Sequence, residues 1–175
     1  LRVFTATAAV VQMHHAVAAQ PGKYSVRYVR VEATVALAMR EVSVVSGGAN
    51  VALNRGTVSQ SSTPGTNTAA ECVDGDVSVS STALCQTSAS KNEWWEVDLG
   101  AAVCVDSVVI HNRQDTAPAN LNGASVLLLD ANRLPVEVFT ANSDVIQRFA
   151  MPAGACISMP DNCTFYVPNT ATHSV

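Results

Sequence analysis

The chain has 175 residues, of which 48% are hydrophobic but only 5% aromatic and 14% charged. Its core must therefore come from Val, Ala and Leu, in one domain or one domain plus part of another. The net charge of −4, without a basic run, argues against nucleic acid or an anionic membrane as partner, and no apolar run approaches the ~20 residues of a spanning helix.

Short apolar runs alternate with Gly, Pro, Asn, Asp and Ser along most of the chain, which predicts an all-β sandwich or barrel. In chain order the expected strands are Leu1–Thr5, Val10–His14, Tyr24–Ala33, Arg40–Val45, Trp94–Leu99, Ser107–Asn112, Ser125–Asp130, Val136–Thr140 and Val145–Met151. Each is rich in β-branched residues and of ordinary strand length. Thr34–Arg40 reads equally as a helical turn or a loop. The first residues, Leu1-Arg2-Val3-Phe4, read as the middle of a strand, so a longer precursor is expected.

An internal similarity suggests how these strands are grouped. Leu1–Gly22 runs strand, turn, strand and then Gln20-Pro21-Gly22; Val126–Gly154 repeats that order and ends Met151-Pro152-Ala153-Gly154. Two copies of one hairpin imply parts of two similar modules. The expected division is residues 1–46 as the closing strands of a preceding module, 47–49 around Gly47-Gly48 as linker, and 50–175 as the next module. A single sandwich with two similar hairpins is the alternative.

Five cysteines are present, none in a CxxC pair, and the four histidines do not fall at zinc-ligand spacing, so disulfides are expected rather than a zinc site. Cys156 and Cys163 flank the turn-forming Met159-Pro160-Asp161-Asn162 and are expected to bond to each other. Cys85–Cys104 is the second expected pair, leaving Cys72 free, with Cys72–Cys85 as its competitor. Asn162-Cys163-Thr164 is an N-glycosylation sequon, as in secreted proteins. No Ser/His/Asp triad, phosphate loop or HExxH appears, and no enzyme is expected.

Four segments, in order, carry a family resemblance. They are Asn50-Val51-Ala52-Leu53-Asn54-Arg55-Gly56 with Ser59-Gln60-Ser61-Ser62; Ala70-Glu71-Cys72-Val73-Asp74-Gly75-Asp76; Asn92-Glu93-Trp94-Trp95-Glu96-Val97-Asp98-Leu99-Gly100; and Val108-Val109-Ile110-His111-Asn112-Arg113-Gln114-Asp115. Together they resemble the discoidin domain, the C-type domain of coagulation factors five and eight, and within it the fucose-binding F-type lectin branch. Arg27-Tyr28-Val29-Arg30-Val31 and Arg40-Glu41-Val42-Ser43-Val44 resemble the family's closing strands. The resemblance implies a jelly-roll-like β-sandwich of the galactose-binding-domain kind that binds ligands on loops at one end.

The resemblance also nominates sites. A structural Ca²⁺ would take the Asp74 side chain, the Glu71 and Asp76 carbonyls, and an oxygen of Ser80 or Ser81. The family's closing-strand glutamate is Glu41, assigned on this reading to the preceding module. The sugar site would use Arg113, oriented by Asp115; Gln86 or Thr87 stands where the family has a histidine, and Asn120 where it has a second basic residue. On a strand, Trp94 and Trp95 point to opposite faces, one into the core and one outward. Ser59–Thr68 lacks the large apolar residues that a phosphatidylserine site needs, which argues against membrane insertion.

Two readings of function follow. One is an extracellular or cell-surface, non-catalytic carbohydrate-binding or adhesion module with a degenerate fucose-type site, its partners glycans. The other is a structural module packed against neighbouring protein modules in a fibre, wall or coat, in tandem or homo-oligomeric assembly.

Overall fold

The computed structural model describes residues 25–54, 57–78, 83–115 and 118–152. The strands expected at Leu1–Thr5 and Val10–His14 lie outside them, as do Cys156, Asn162 and Cys163. The described strands are β1 (Ser25–Ala33), β2 (Ala38–Ser46), β3 (Ala49–Asn50), β4 (Val58–Gln60), β5 (Cys85–Gln86), β6 (Glu93–Cys104), β7 (Ser107–Asn112), β8 (Ser125–Leu129), β9 (Pro135–Thr140) and β10 (Ile146–Ala150). Two antiparallel sheets result. The first runs β4-β6-β1-β8-β9; the second runs β10-β7-β2-β3, with β5 also pairing β2. This is an all-β sandwich consistent with the galactose-binding-like fold. Among the described residues no helix is long and apolar enough to cross a membrane.

The period-2 patterns decide what each sheet buries. Val29 and Val31 of β1, Trp95, Val97 and Leu99 of β6, and Val126 and Leu128 of β8 turn inward. They join Val42 and Val44 of β2 and Val108 and Ile110 of β7 in one core. Opposite them on the first sheet, Tyr28, Arg30, Glu32, Trp94, Glu96 and Asp98 are on the outer face, in cross-strand register. That face is laced with ion pairs: Arg27 to Asp98 at 3.0 Å, and Arg30 and Arg133 to Glu96 at 3.3 and 2.9 Å.

The expected module boundary is corrected for the described strands. β1 lies between β6 and β8, and β2 pairs with β7 from Met39↔Asn112 to Val45↔Ser107. Residues 25–46 are thus central strands of the same sandwich as residues 50–150. Gly47 and Gly48 are not a linker. With φ of 57° and 80° they form the tight turn between Ser46 and Ala49, and two positive-φ residues in a two-residue hairpin are what a type I′ turn requires. The start and finish of the described sandwich meet at one place: Ser25 pairs with Cys104, and the Met151 amide donates to the Asp106 carbonyl at 2.9 Å.

Cys72 is bonded to Cys85, 13 residues apart with Cα atoms 5.3 Å from one another. This overturns the expected Cys85–Cys104 pair and the free Cys72; Cys104 is disulfide-bonded, though not to Cys85. The short 3-10 turn Ala69–Cys72 packs beside β2 and β5, which brings the two sulfurs together.

Candidate functional site

Several candidate sugar-site residues gather at one end of the second sheet. Ala38 and Met39 pair with Gln86 and Cys85 on one side of β2, and Met39 pairs with Asn112 on the other. Gln86, Thr87 and the residue after Asn112, Arg113, therefore flank the start of β2. Thr87 is buried: its Oγ1 accepts from the Leu37 amide at 2.8 Å, and its own amide donates to the Leu37 carbonyl at 2.9 Å. Gln86 accepts from the Asn67 side chain at 3.1 Å. Asn120 lies in the 3-10 turn Pro118–Leu121, tied to β7 by an Asn112 Nδ2 bond to the Pro118 carbonyl at 2.9 Å.

Arg113 itself is 9% exposed and donates twice to Asp115, at 2.5 and 2.8 Å. That bond raises the guanidinium above its usual pKa, against the opposing effect of burial. The charged donor of this end is thus already held in a two-point pair.

The acidic turn lies over the outer face of β2. Asp74 Oδ1 accepts from the Asp76 amide, and Asp76 Oδ1 from the Ser78 amide, both at 2.8 Å. Ser80 and Ser81 lie outside the described residues. The residue that reasoning from the sequence assigned elsewhere is Glu41, which accepts from the Gly75 amide at 3.2 Å and, at 3.5 Å, from Asn50 Nδ2. It is 1% exposed. Its pKa rises to about 7 because burial disfavours the charge, and Asp74 and Asp76 add repulsion that the Gly75 and Asn50 bonds only partly offset. Among the described residues no three His, Cys, Asp or Glu side chains converge as a metal cluster, so any cation here would depend on backbone oxygens as well.

A carboxyl raised in this way contributes stability fully present below about 4.5 and lost as pH rises through about 7, because above that the folded state must bury a charge. The metal-free protein is accordingly expected to become less stable to urea between those two pH values. Glu41→Gln is expected to flatten that slope; a profile unchanged by the substitution would place the ionisation elsewhere.

The tryptophans divide as the strand period requires. Trp95 is fully buried and donates from Nε1 to the Ala69 carbonyl at 3.0 Å. Trp94 is on the outer face, with the Arg30 guanidinium 4.2 Å from its ring centroid. Beside it is a cleft of about 510 Å³ lined by Arg30, Glu32, Thr34, Asn92, Trp94 and Ser125 among others. The motif segments contain Arg30, Asn92 and Trp94, but nothing in them marks Glu32, Thr34 and Ser125 as their neighbours. The available signal was the Tyr28-x-Arg30-x-Glu32 alternation on β1, which places three polar or charged side chains on one face.

Residues 71–155 match the F5/F8 type C family model described as the NedA-like, galactose-binding domain. The match supports the discoidin resemblance as a whole and does not single out the F-type lectin branch. No curated protein and no solved structure matches the chain.

Proposed function

We propose, from the premise that the chain carries a discoidin-type, galactose-binding-like domain, that it is a non-catalytic carbohydrate-binding or adhesion module of an extracellular, multi-domain protein. The observation that supports this reading is that Gln86 and Thr87 lie on one side of the start of β2 and Arg113 on the other, within the family-matched region. Domains of this family are generally non-catalytic. The buried Cys72–Cys85 disulfide supports an oxidising compartment. Arg113 is the principal donor to a sugar, Asp115 orients it, and Asn120, Gln86 and Thr87 shape the loop end around it.

One hydrogen bond to a charged group contributes only ~1.5–3 kcal/mol, so a single site of this kind binds on the order of millimolar. Tandem copies or oligomers then supply avidity. On a glycan array, Arg113→Ala is expected to remove the loop end's contribution and lower the signal steeply, while far-ultraviolet circular dichroism stays that of the parent. A parent silent on the array, combined with an Arg113→Ala variant that unfolds, would instead favour the module as a packing element between protein neighbours. The two-point bond of the nearly buried Arg113 to Asp115 is what favours that second reading.

Calcium belongs to the same proposal. Asp74 offers its carboxylate, Glu71 and Asp76 their carbonyls, and Glu41 adds a buried carboxylate with no cationic partner among the described residues. The chemistry suits a hard cation that takes oxygen ligands. When bound, Ca²⁺ supplies the positive charge that makes an ionised Glu41 tolerable beside Asp74 and Asp76. Calcium is expected to raise the unfolding temperature more near pH 8 than near pH 5, since Glu41 ionises at about 7 and protons compete for it below that. Equal shifts at both pH values would remove Glu41 from the site.

A further inference from the structure

The outer face of the first sheet carries a site of its own. Register sets its floor and walls: Glu32 of β1 pairs with Trp94 of β6 on one side and with Ser125 of β8 on the other. Asn92, Thr34 and Gly123 form the rim. Asn92 has a φ of 63°, in the left-handed region that asparagine tolerates. Nothing lies within 4 Å of where a Cβ on Gly123 would stand, so that side of the cleft is open.

The polar groups here are arranged unequally. Glu93 is fully engaged by Ser61, Ser62 and Ser90 and serves as a strut. Arg30 is fixed by Glu32 at 2.5 Å and Glu96 at 3.3 Å, which presses its guanidinium onto the Trp94 ring. The side chains of Thr34, Asn92 and Ser125 make no hydrogen bond among the described residues, while the Glu32 side chain remains 44% exposed. An opening of about 510 Å³ falls within the ~300–1,000 Å³ of small-molecule clefts.

We propose that this cleft is a second saccharide subsite that takes a neutral pyranose. The carboxylates of Glu32 and Glu93 disfavour phosphate, sulfate and uronate. The seat that a cationic ligand would take over the indole is already filled by Arg30. A neutral ring rich in hydroxyls satisfies the rest: its hydroxyls donate to Glu32, exchange hydrogen bonds with Asn92, Ser125 and Thr34, and its CH groups lie against the uncovered edge of Trp94. The proposal rests on the carbohydrate-binding reading for the class of ligand, and on residues other than the Arg113 end for the site.

The chain has two tryptophans, so ¹⁵N spectra of the full chain show two indole signals, and buried Trp95 serves as the internal reference for Trp94. Methyl β-galactopyranoside, methyl α-fucopyranoside and methyl α-mannopyranoside are titrated in turn, with galacturonate and galactosamine as charged counterparts. At least one neutral glycoside is expected to shift the Trp94 signal saturably, ahead of both charged sugars, with Trp95 unmoved. Asn92→Ala and Ser125→Ala, on rim and wall, are each expected to weaken binding about three- to tenfold, and Arg113→Ala to leave it unchanged. Silence of Trp94 with all three glycosides overturns the subsite, as does stronger binding of a charged sugar. Loss of the shift in Arg113→Ala also overturns it, because the binding would then belong to the loop end. An array that detects glycans while Trp94 stays silent sinks this subsite alone, leaving the proposed function intact.

Discussion

Replacing Trp95 with alanine is expected to lower the stability of the folded chain by about 3–5 kcal/mol, the loss seen when a large buried aromatic is truncated and its cavity only partly collapses. Its ring is fully buried in the core, whose many β-branched side chains refill a vacated space poorly because their χ1 rotamers are restricted. The substitution also orphans the Ala69 carbonyl, which accepts from the indole Nε1 at 3.0 Å. Trp94→Ala makes the control. That ring is on the outer face under Arg30, where a cation–π contact contributes ~0.5–1 kcal/mol, so the expected loss is near that figure. Urea unfolding of both variants decides the matter: equal losses would mean that the two rings are not divided between core and surface.

Removing the Cys72–Cys85 bridge by the double substitution to alanine is the second large effect, a loss of roughly 3 kcal/mol. Crosslinking residues 13 apart denies the unfolded chain the entropy of a short open loop, which for about 15 residues amounts to ~3 kcal/mol. Both sulfurs are buried, so the alanines also leave a small void in the core. The bridge has a local consequence too. It closes the loop containing Asp74, Gly75 and Asp76, and the Gly75 amide is what holds the Glu41 carboxylate at 3.2 Å. The double variant should therefore lose any calcium-dependent gain in unfolding temperature along with its baseline stability. Non-reducing peptide mapping of the parent that recovers Cys85 joined to Cys104 would overturn both expectations.

Strand existence was legible because it depends on a local pattern. The alternation in Val29-Arg30-Val31-Glu32 and in Trp94-Trp95-Glu96-Val97 specifies which side chains turn inward, whatever strand is placed alongside. The same holds for the Arg113–Asp115 pair, two residues apart, and for the Asp74-Gly75-Asp76 turn, where an Asx bond needs only its own backbone. The short strands β3, β4 and β5 were not legible. Runs of two or three residues carry no period, and they form because β2 or β6 presents an edge to them.

Partnership is where the tertiary structure decided. Val29 pairs with Val97 and Leu128, residues far along the chain, and one Val-rich strand offers the same hydrogen bonds and nearly the same surface to any other. The motif order therefore assigned strands 25–46 to a neighbouring module, whereas they fill the middle of this one. Nothing local distinguished the two arrangements, because the described part of the sandwich begins and finishes beside the same turn: Ser25 pairs with Cys104 and the Met151 amide donates to the Asp106 carbonyl. A closing hairpin can reach the same position from either side of the sequence. With that placement came the features the sequence by itself did not disclose, namely Glu41 under the acidic turn, the choice of Cys72 for Cys85, and the Glu32–Trp94–Ser125 cleft. Each joins residues from separate strands, and only packing brings them within reach of one another.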